Sequence, residues 1–210
     1  MKVQGSLPVF HPGPPKAQAG LTRQEIVDSC FRGGGSYVAG LLYPTTYLHE
    51  LGHAVAVNAL YQGADPHITV TPLVGGVTRW TQGAPLTDLG QKLGRSTART
   101  AVAAAGTAVD VGLSTIAFAA GYMLRKKQPW LGCAMMGYAG FGMAQTVLYA
   151  LSAVGSTFVG NDFGTFAAMT GVPPLVTAGV LAAILPAEYL LLRYLERKGI
   201  LDPSSTGLEP

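Results

Sequence analysis

The sequence predicts an all-α polytopic membrane protein with about four transmembrane helices and a small β-hairpin after the first of them. Apolar residues make up 49% of the 210-residue chain and charged residues only 12%, about half the charged share of a typical soluble domain. Long apolar stretches recur along the chain, and many glycines lie inside them, where membrane helices use small residues for close contacts. One segment between these stretches instead alternates β-branched residues, which is typical of strands.

The first segment, residues 1–35, is expected to be a flexible and amphipathic lead-in. Proline and glycine recur in its first half, and no apolar run there has the length of a signal peptide. Residues 21–33 predict a short helix on the membrane surface. Thr22 and Glu25 have the spacing of a capping box at its start.

A membrane domain is predicted over residues 36–196, followed by a polar tail at residues 197–210. A helix needs about 20 mostly apolar residues to cross a bilayer. Four stretches meet this length, at residues 36–61, 97–124, 130–154 and 173–194. The apolar pattern breaks near residue 160, either between the third and fourth spans or as an unwound part of the third.

The segment between the first and second spans predicts a β-hairpin. Its sequence, HITVTPLVGGVTRW, covers about residues 67–80 and has β-branched residues at alternating positions. Gly75 and Gly76 lie in its middle.

The distribution of basic residues predicts the orientation. Four of the fourteen fall on one side of a four-span arrangement: Arg79, Lys92, Arg95 and Arg99. The other ten fall on the opposite side: Lys2, Lys16, Arg23, Arg32, Arg125, Lys126, Lys127, Arg193, Arg197 and Lys198. The positive-inside tendency therefore places both termini in the cytoplasm. A net charge of +3 with scattered basic residues gives no support for nucleic-acid binding.

The first predicted span contains the motif HELGH. His49 and His53 lie one turn apart, about 40° around the helix, so both imidazoles can bind one zinc ion. Glu50, next to His49, is placed to act as general base on a zinc-activated water. Ionisable residues inside an apolar span are costly and mark functional sites. The other two histidines, His11 and His67, lie outside the spans and are expected to face solvent.

A catalytic zinc site takes a third protein ligand and leaves one position open. The candidates, in order of preference, are Asp162, Asp110 and Glu188. Asp162 lies where the helical pattern breaks and backbone can line a polar cavity. Asp110 alternatively forms a buried hydrogen bond to backbone or a serine, and Glu188 alternatively reaches the interface or pairs with Arg193. Gln145, in the third span, is expected to form an interhelical hydrogen bond rather than to touch substrate or the metal's surroundings.

The order of these motifs resembles the site-2 protease family of intramembrane zinc metalloproteases, particularly its small bacterial-type branch. The resemblance rests on HELGHA in the first span, then ITVTPLVGGVTRW, AAAGTAVD and a late aspartate in GNDFGTFAAMTGVPP. It implies that His49, His53 and Asp162 bind zinc and that Glu50 is the catalytic base. It also implies a membrane-anchored protein as substrate, held in extended form near the hairpin at residues 67–80 by β-addition.

The alternative is a non-catalytic zinc-binding or scaffold membrane protein of the same fold. It is motivated by a region around the third ligand that matches the family loosely and by the lack of an appended substrate-binding domain. A membrane di-iron oxidase needs several histidine clusters. The chain has four histidines, of which two are clustered, so the number of ligands argues against this class.

Overall fold

The computed structural model describes residues 20–42, 44–155 and 161–201. Within these ranges the chain is mostly helical with one antiparallel hairpin, which confirms the predicted fold class at that level. The elements in chain order are α1 Arg23–Leu42, α2 Pro44–Leu60, β1 His67–Thr71, β2 Gly75–Arg79, α3 Asp88–Leu93, α4 Arg95–Leu124, α5 Pro129–Ser152, α6 Asp162–Thr170 and α7 Pro174–Arg197. His11 and most of the predicted tail lie outside the described residues.

The predicted first span, about residues 36–61, covers residues 36–42 of α1 and all of α2. The predicted surface helix and the start of that span form the single helix α1, and HELGH lies in a second helix, α2. Pro44 is the first residue of α2, a position that proline fits well because it needs no N–H partner there. Helix α1 runs through residue 35, the predicted end of the lead-in.

The predicted capping box at the start of α1 is confirmed. The backbone N–H of Thr22 donates to Glu25 Oε2 at 2.7 Å, and the N–H of Glu25 donates to Thr22 Oγ1 at 3.2 Å. These two bonds satisfy N–H groups that have no partner inside a helix.

The other three predicted spans correspond to α4, α5 and α7, with ends that agree within three residues. By length and apolar composition, α4 and α7 are the two helices of the described part of the chain that are able to cross a membrane. The count of four spans therefore stays a prediction.

Small residues let the helices pack closely. A Cβ atom at Gly137 of α5 would lie 1.9 Å from the carbonyl oxygen of Ser29 in α1. A Cβ atom at Gly52 of α2 would lie 2.7 Å from the carbonyl oxygen of Ala105 in α4. The absence of a side chain at Gly137 and Gly52 thus lets α1 pack closely on α5 and α2 on α4, as expected for helices that associate through small residues.

The hairpin forms where predicted, in the register His67↔Arg79 to Thr71↔Gly75. Its turn lies at residues 72–74, where Leu73 has a φ of 61°, and the two glycines belong to β2 instead. Gly76 is needed for a close approach, because a Cβ atom there would lie 2.5 Å from Glu50 Cγ. The connection after the hairpin contains the short helix α3, whose N-cap is Thr87.

An ion cluster ties α4 and α7 to the start of α1. Arg125 is buried, and its Nη2 donates to both carboxylate oxygens of Glu196 at 2.9 Å. Glu25 Oε1 lies 3.4 Å from Arg125 Nε, and Lys126 Nζ lies 2.8 Å from Glu196 Oε1. Arg125, one of the basic residues that predict the orientation, is thus internally paired rather than open to solvent.

Candidate metal centre

Helix α2 brings the two histidines of HELGH together on the face that packs against α4. The His49 side chain is 15% exposed and the His53 side chain 7% exposed. Their Nε2 atoms lie 3.1 Å apart. The spacing of four residues puts both imidazoles on one side of the helix, as the sequence predicts.

Asp162, the first residue of α6, reaches the same point although it lies more than 100 residues after the histidines in the chain. Its Oδ2 lies 3.3 Å from His49 Nε2 and 3.3 Å from His53 Nε2. The hydroxyl of Tyr149 lies 3.4 Å from the same oxygen and accepts from the Asp162 N–H at 3.2 Å. The three side chains preferred as ligands in the sequence therefore converge on one point.

The start of α6 is held by an N-cap. The Asn161 Oδ1 atom accepts from the N–H groups of Phe163 at 2.9 Å and Gly164 at 3.1 Å. Asn161 is itself buried, and its Nδ2 donates to Ser152 Oγ at 3.2 Å. A polar N-cap defines where the helix begins, so Asn161 positions the neighbouring Asp162. The sequence reading left Asn161 without a role, although Asn before Asp-Phe-Gly is a recognisable N-cap signal.

Each histidine has a hydrogen-bond acceptor beside the ring nitrogen that faces away from this point. His53 Nδ1 lies 2.7 Å from the carbonyl oxygen of Val102, which can only accept, so Nδ1 is the donor. His49 Nδ1 lies 2.7 Å from Asp110 Oδ2 and donates in the same way to the carboxylate. In the neutral rings, both Nε2 atoms then present lone pairs toward Asp162. Partners of this kind fix the tautomer and orientation of metal-binding histidines.

The three converging atoms fit a zinc ion. Tetrahedral zinc with bonds of about 2.0–2.1 Å has ligand atoms about 3.3 Å apart, and the observed separations are 3.1, 3.3 and 3.3 Å. Two imidazole lone pairs and a carboxylate oxygen at such distances repel each other unless a proton or a metal ion lies between them, and one zinc ion would satisfy all three atoms at once. Two nitrogens and one oxygen are also a ligand set that zinc accepts in catalytic sites.

Gly106 on α4 makes room for the two imidazoles. A Cβ atom at this position would lie 2.4 Å from His53 Nε2 and 2.6 Å from His49 Nε2. Any other residue would collide with the atoms that face the metal position. The sequence reading placed Gly106 in a small-residue stretch but assigned it no contact with the histidines.

Glu50 is buried beside this centre and is held by the hairpin. Only 5% of the residue is exposed, and its Oε2 accepts from the Thr78 hydroxyl at 2.7 Å. The same hydroxyl lies 2.9 Å from the Glu50 carbonyl oxygen. Thr78 of β2 thus orients the carboxylate predicted as general base, and Gly76 leaves space for it. The sequence carried no signal for Thr78 beyond the alternation of the strand.

The other two carboxylate candidates do not join the three converging side chains. Asp110 contacts the far side of His49, so it takes part in a hydrogen bond between helices, but its partner is an imidazole and not the predicted backbone or serine. Its Oδ1 is buried and has no hydrogen-bond partner in the described residues. Glu188 Oε2 on α7 is likewise buried without a partner. No ion pair joins Glu188 to Arg193 within the described ranges, so the predicted pairing with Arg193 is wrong. The other alternative, that Glu188 reaches the interface, stays a prediction.

Two further predicted residues behave as expected. His67 is exposed, and its Nε2 lies 3.2 Å from Asp65 Oδ2. It does not belong to the group of converging ligand atoms. Gln145 accepts from the Tyr37 hydroxyl and so links α5 to α1. Gln145 also lines the cavity that His49, His53 and Asp162 face.

The candidate centre opens into a cavity of about 600 Å³, within the usual range for ligand sites. The hairpin contributes residues 74–78 to its wall, and α4 contributes Arg99, Val102, Ala103 and Asp110. His49, Glu50, His53 and Asp162 all face the same space. The four groups are thus accessible to one bound molecule.

The fold and the site together define a mostly helical protein with a candidate metal centre formed by two histidines and an aspartate. Comparison with known proteins finds no matching family model, no matching curated protein and no matching solved structure.

Proposed function

We propose that this protein is an intramembrane zinc metalloendopeptidase that hydrolyses peptide bonds of a membrane-anchored protein, as the resemblance to the site-2 protease family implies. The observation that carries the proposal is the convergence of His49, His53 and Asp162 within 3.3 Å of one another. Glu50 lines the same cavity. A metal centre with an adjacent carboxylate is the arrangement that zinc peptidases need.

Each residue has a stated part in this proposal. His49, His53 and Asp162 would hold zinc, which supplies Lewis-acid polarisation of the scissile carbonyl and lowers the pKa of a water molecule. Glu50 takes the proton from the attacking water and passes it to the leaving amine. Because Oε2 of Glu50 is engaged by Thr78, Oε1 is the atom that exchanges the proton. The exposed side of β2 holds the substrate backbone in extended form.

The membrane setting is part of the proposal. We infer a multi-pass arrangement in which α1 and α2 together make a broken first crossing and α4, α5 and α7 make the other three, with both termini in the cytoplasm. Large apolar side chains are exposed on the outer faces of these helices, among them Ile116, Trp130, Leu148, Val180 and Leu190. Such surfaces favour contact with lipid over water.

The depth of the centre agrees with this arrangement. Gly106 lies nine residues inside the predicted span 97–124, which is about 14 Å at 1.5 Å per residue. The hydrocarbon core is about 30 Å thick and shorter than this span, so a centre at this level would lie inside the core. Substrate would therefore be cut within the bilayer.

The test combines zinc content with cleavage. Synthetic transmembrane peptides are incubated with the full chain in phosphatidylcholine vesicles, and fragments are identified by mass spectrometry. We expect Glu50→Gln to retain zinc and lose cleavage, and His53→Ala to lose both. Full activity in Glu50→Gln would refute the assigned mechanism. Zinc binding without turnover of any peptide would favour the alternative, a non-catalytic zinc-binding or scaffold protein.

A further inference from the structure

Of the lysines and arginines in the described ranges, Arg99 is the one that lines the cavity of the metal centre. Arg99 lies on the first turns of α4 and is exposed. Its guanidinium makes no hydrogen bond or ion pair with another described residue. Because Arg99 is exposed, water can satisfy its five donors in the free protein, and an anionic ligand in the cavity can replace that water.

Arg99 shares a helical face with the residues that contact the histidines. Positions 99, 102, 106 and 110 follow the spacing of three to four residues that places side chains on one side of a helix. Val102 accepts from His53, Gly106 makes room for both imidazoles, and Asp110 accepts from His49. Arg99 therefore lies along the same wall of the cavity as the metal position.

The spacing along α4 sets how far from the metal a ligand of Arg99 would bind. Seven residues separate positions 99 and 106, which is about 10 Å along the helix axis. An extended peptide advances about 3.3 Å per residue. A substrate bound along this wall would therefore bring to Arg99 a side chain about three residues from the scissile bond.

The charges in the cavity restrict the ligand to an anion at this end. Glu50, Asp110 and Asp162 line the part near the metal position, and they would repel an acidic side chain there. Arg99 offers the matching charge away from them. Arginine pairs with carboxylates through two parallel hydrogen bonds, which gives geometric selectivity as well as attraction.

We propose that Arg99 is a specificity-determining residue that binds an Asp or Glu side chain of the substrate about three residues from the cleaved bond. This inference rests on the proposed peptidase function and names the substrate feature that the same site selects.

The experiment scans a single charge along the substrate. A series of synthetic transmembrane peptides differs only in the position of one Glu, and a second series carries Lys at the same positions. Fragments are identified by mass spectrometry in phosphatidylcholine vesicles. With the wild-type chain, the cut should follow the Glu at a constant spacing of about three residues. With Arg99→Glu, the cut should follow the Lys instead.

Binding is measured separately in the Glu50→Gln background. Adding Arg99→Gln should weaken binding of the Glu peptide at least tenfold, the loss expected when even one hydrogen bond to a charged group is removed. A control peptide with Gln in place of that Glu should bind both proteins equally. Arg95→Glu is the matched control, since Arg95 carries the same charge one turn earlier and does not line the cavity. It should preserve the preference for Glu.

The outcomes separate the two proposals. Preferential binding of the Glu peptide that depends on Arg99, without any cleavage, would uphold recognition of an acidic side chain by Arg99 but overturn both the peptidase function and the spacing from a cleaved bond. Cleavage whose position and rate ignore the charge, in wild type and Arg99→Glu alike, would overturn the inference alone. An effect of Arg99→Gln that appears only in vesicles with anionic lipid would also overturn it, because the ligand would then be a lipid phosphate.

Discussion

Gly106→Ala tests whether the histidine pair is a metal site. The added Cβ atom would lie 2.4 Å from His53 Nε2 and 2.6 Å from His49 Nε2. Real Cβ contacts essentially never fall below 3.0 Å, so His53 Nε2 must move by at least the difference of about 0.6 Å. Metal–ligand distances tolerate only about 0.2 Å. We therefore expect zinc affinity to fall by about 100-fold, the upper range for disturbing a metal ligand's surroundings.

Gly112→Ala is the matched control. Gly112 lies on the same helix, and a Cβ atom there meets no other side chain or distant backbone within 4 Å. Both substitutions gain the higher helix propensity of alanine, up to about 1 kcal/mol. A difference in zinc affinity between the two variants therefore reports the collision with the imidazoles and not a general effect on α4.

The assay is competition for zinc against a chromophoric chelator with the purified full chain in detergent. Thermal unfolding with excess chelator is recorded alongside to compare the metal-free proteins. We expect Gly106→Ala to keep its fold and lose zinc, while Gly112→Ala binds zinc like wild type. Wild-type affinity in Gly106→Ala would refute the assigned metal position.

Three further predictions concern neighbouring groups. Asp110→Ala removes the acceptor of the His49 Nδ1 proton and should lower zinc affinity about 10- to 100-fold in the same competition assay; an unchanged affinity would contradict its role in orienting His49. Thr78→Val removes the hydroxyl that holds Glu50 and should reduce peptide cleavage without changing zinc content, whereas Thr69→Val on the exposed face of β1 should leave both unaltered. The third prediction concerns Glu196, which lies beyond the proposed span 173–194. Burial alone would raise the pKa of its carboxyl. Hydrogen bonds from Lys126 and Tyr122 outweigh burial and hold the pKa at about 2, below the usual 4.5. Since the folded pKa is the lower one, this stabilisation is fully present above pH 4.5 and is lost as the pH falls toward 2, so acid unfolding of Glu196→Gln should show a weaker pH dependence than wild type over that window.

Much of the fold could be predicted because its signals are local. Apolar stretches mark α4, α5 and α7, the alternating segment marks the hairpin, and Thr22 with Glu25 marks the start of α1. The pair His49 and His53 is equally local, since a spacing of four residues on a helix determines that both face one side. Pro44, the first residue of α2, is a local signal for the start of a helix, but the apolar run around it favours one span over two helices.

The site as a whole depends on contacts between distant parts of the chain. His49 meets Asp110 across 61 residues and Asp162 across 113, and Thr78 meets Glu50 across 28. Sequence spacing carries no information on such distances, so the choice among Asp162, Asp110 and Glu188 stayed open until helix packing was known.

The sequence by itself therefore determined the chemistry available to this protein: a histidine pair with a neighbouring glutamate on an apolar helix, followed by a hairpin and a late aspartate. Only the tertiary structure decided how these groups combine. The close approach of α2 and α4, which Gly52 and Gly106 permit, brings Asp110 behind His49. The N-cap at Asn161 brings Asp162 to the open side of both histidines. Packing distances between helices set these relations, and they are not encoded in the period of any single element.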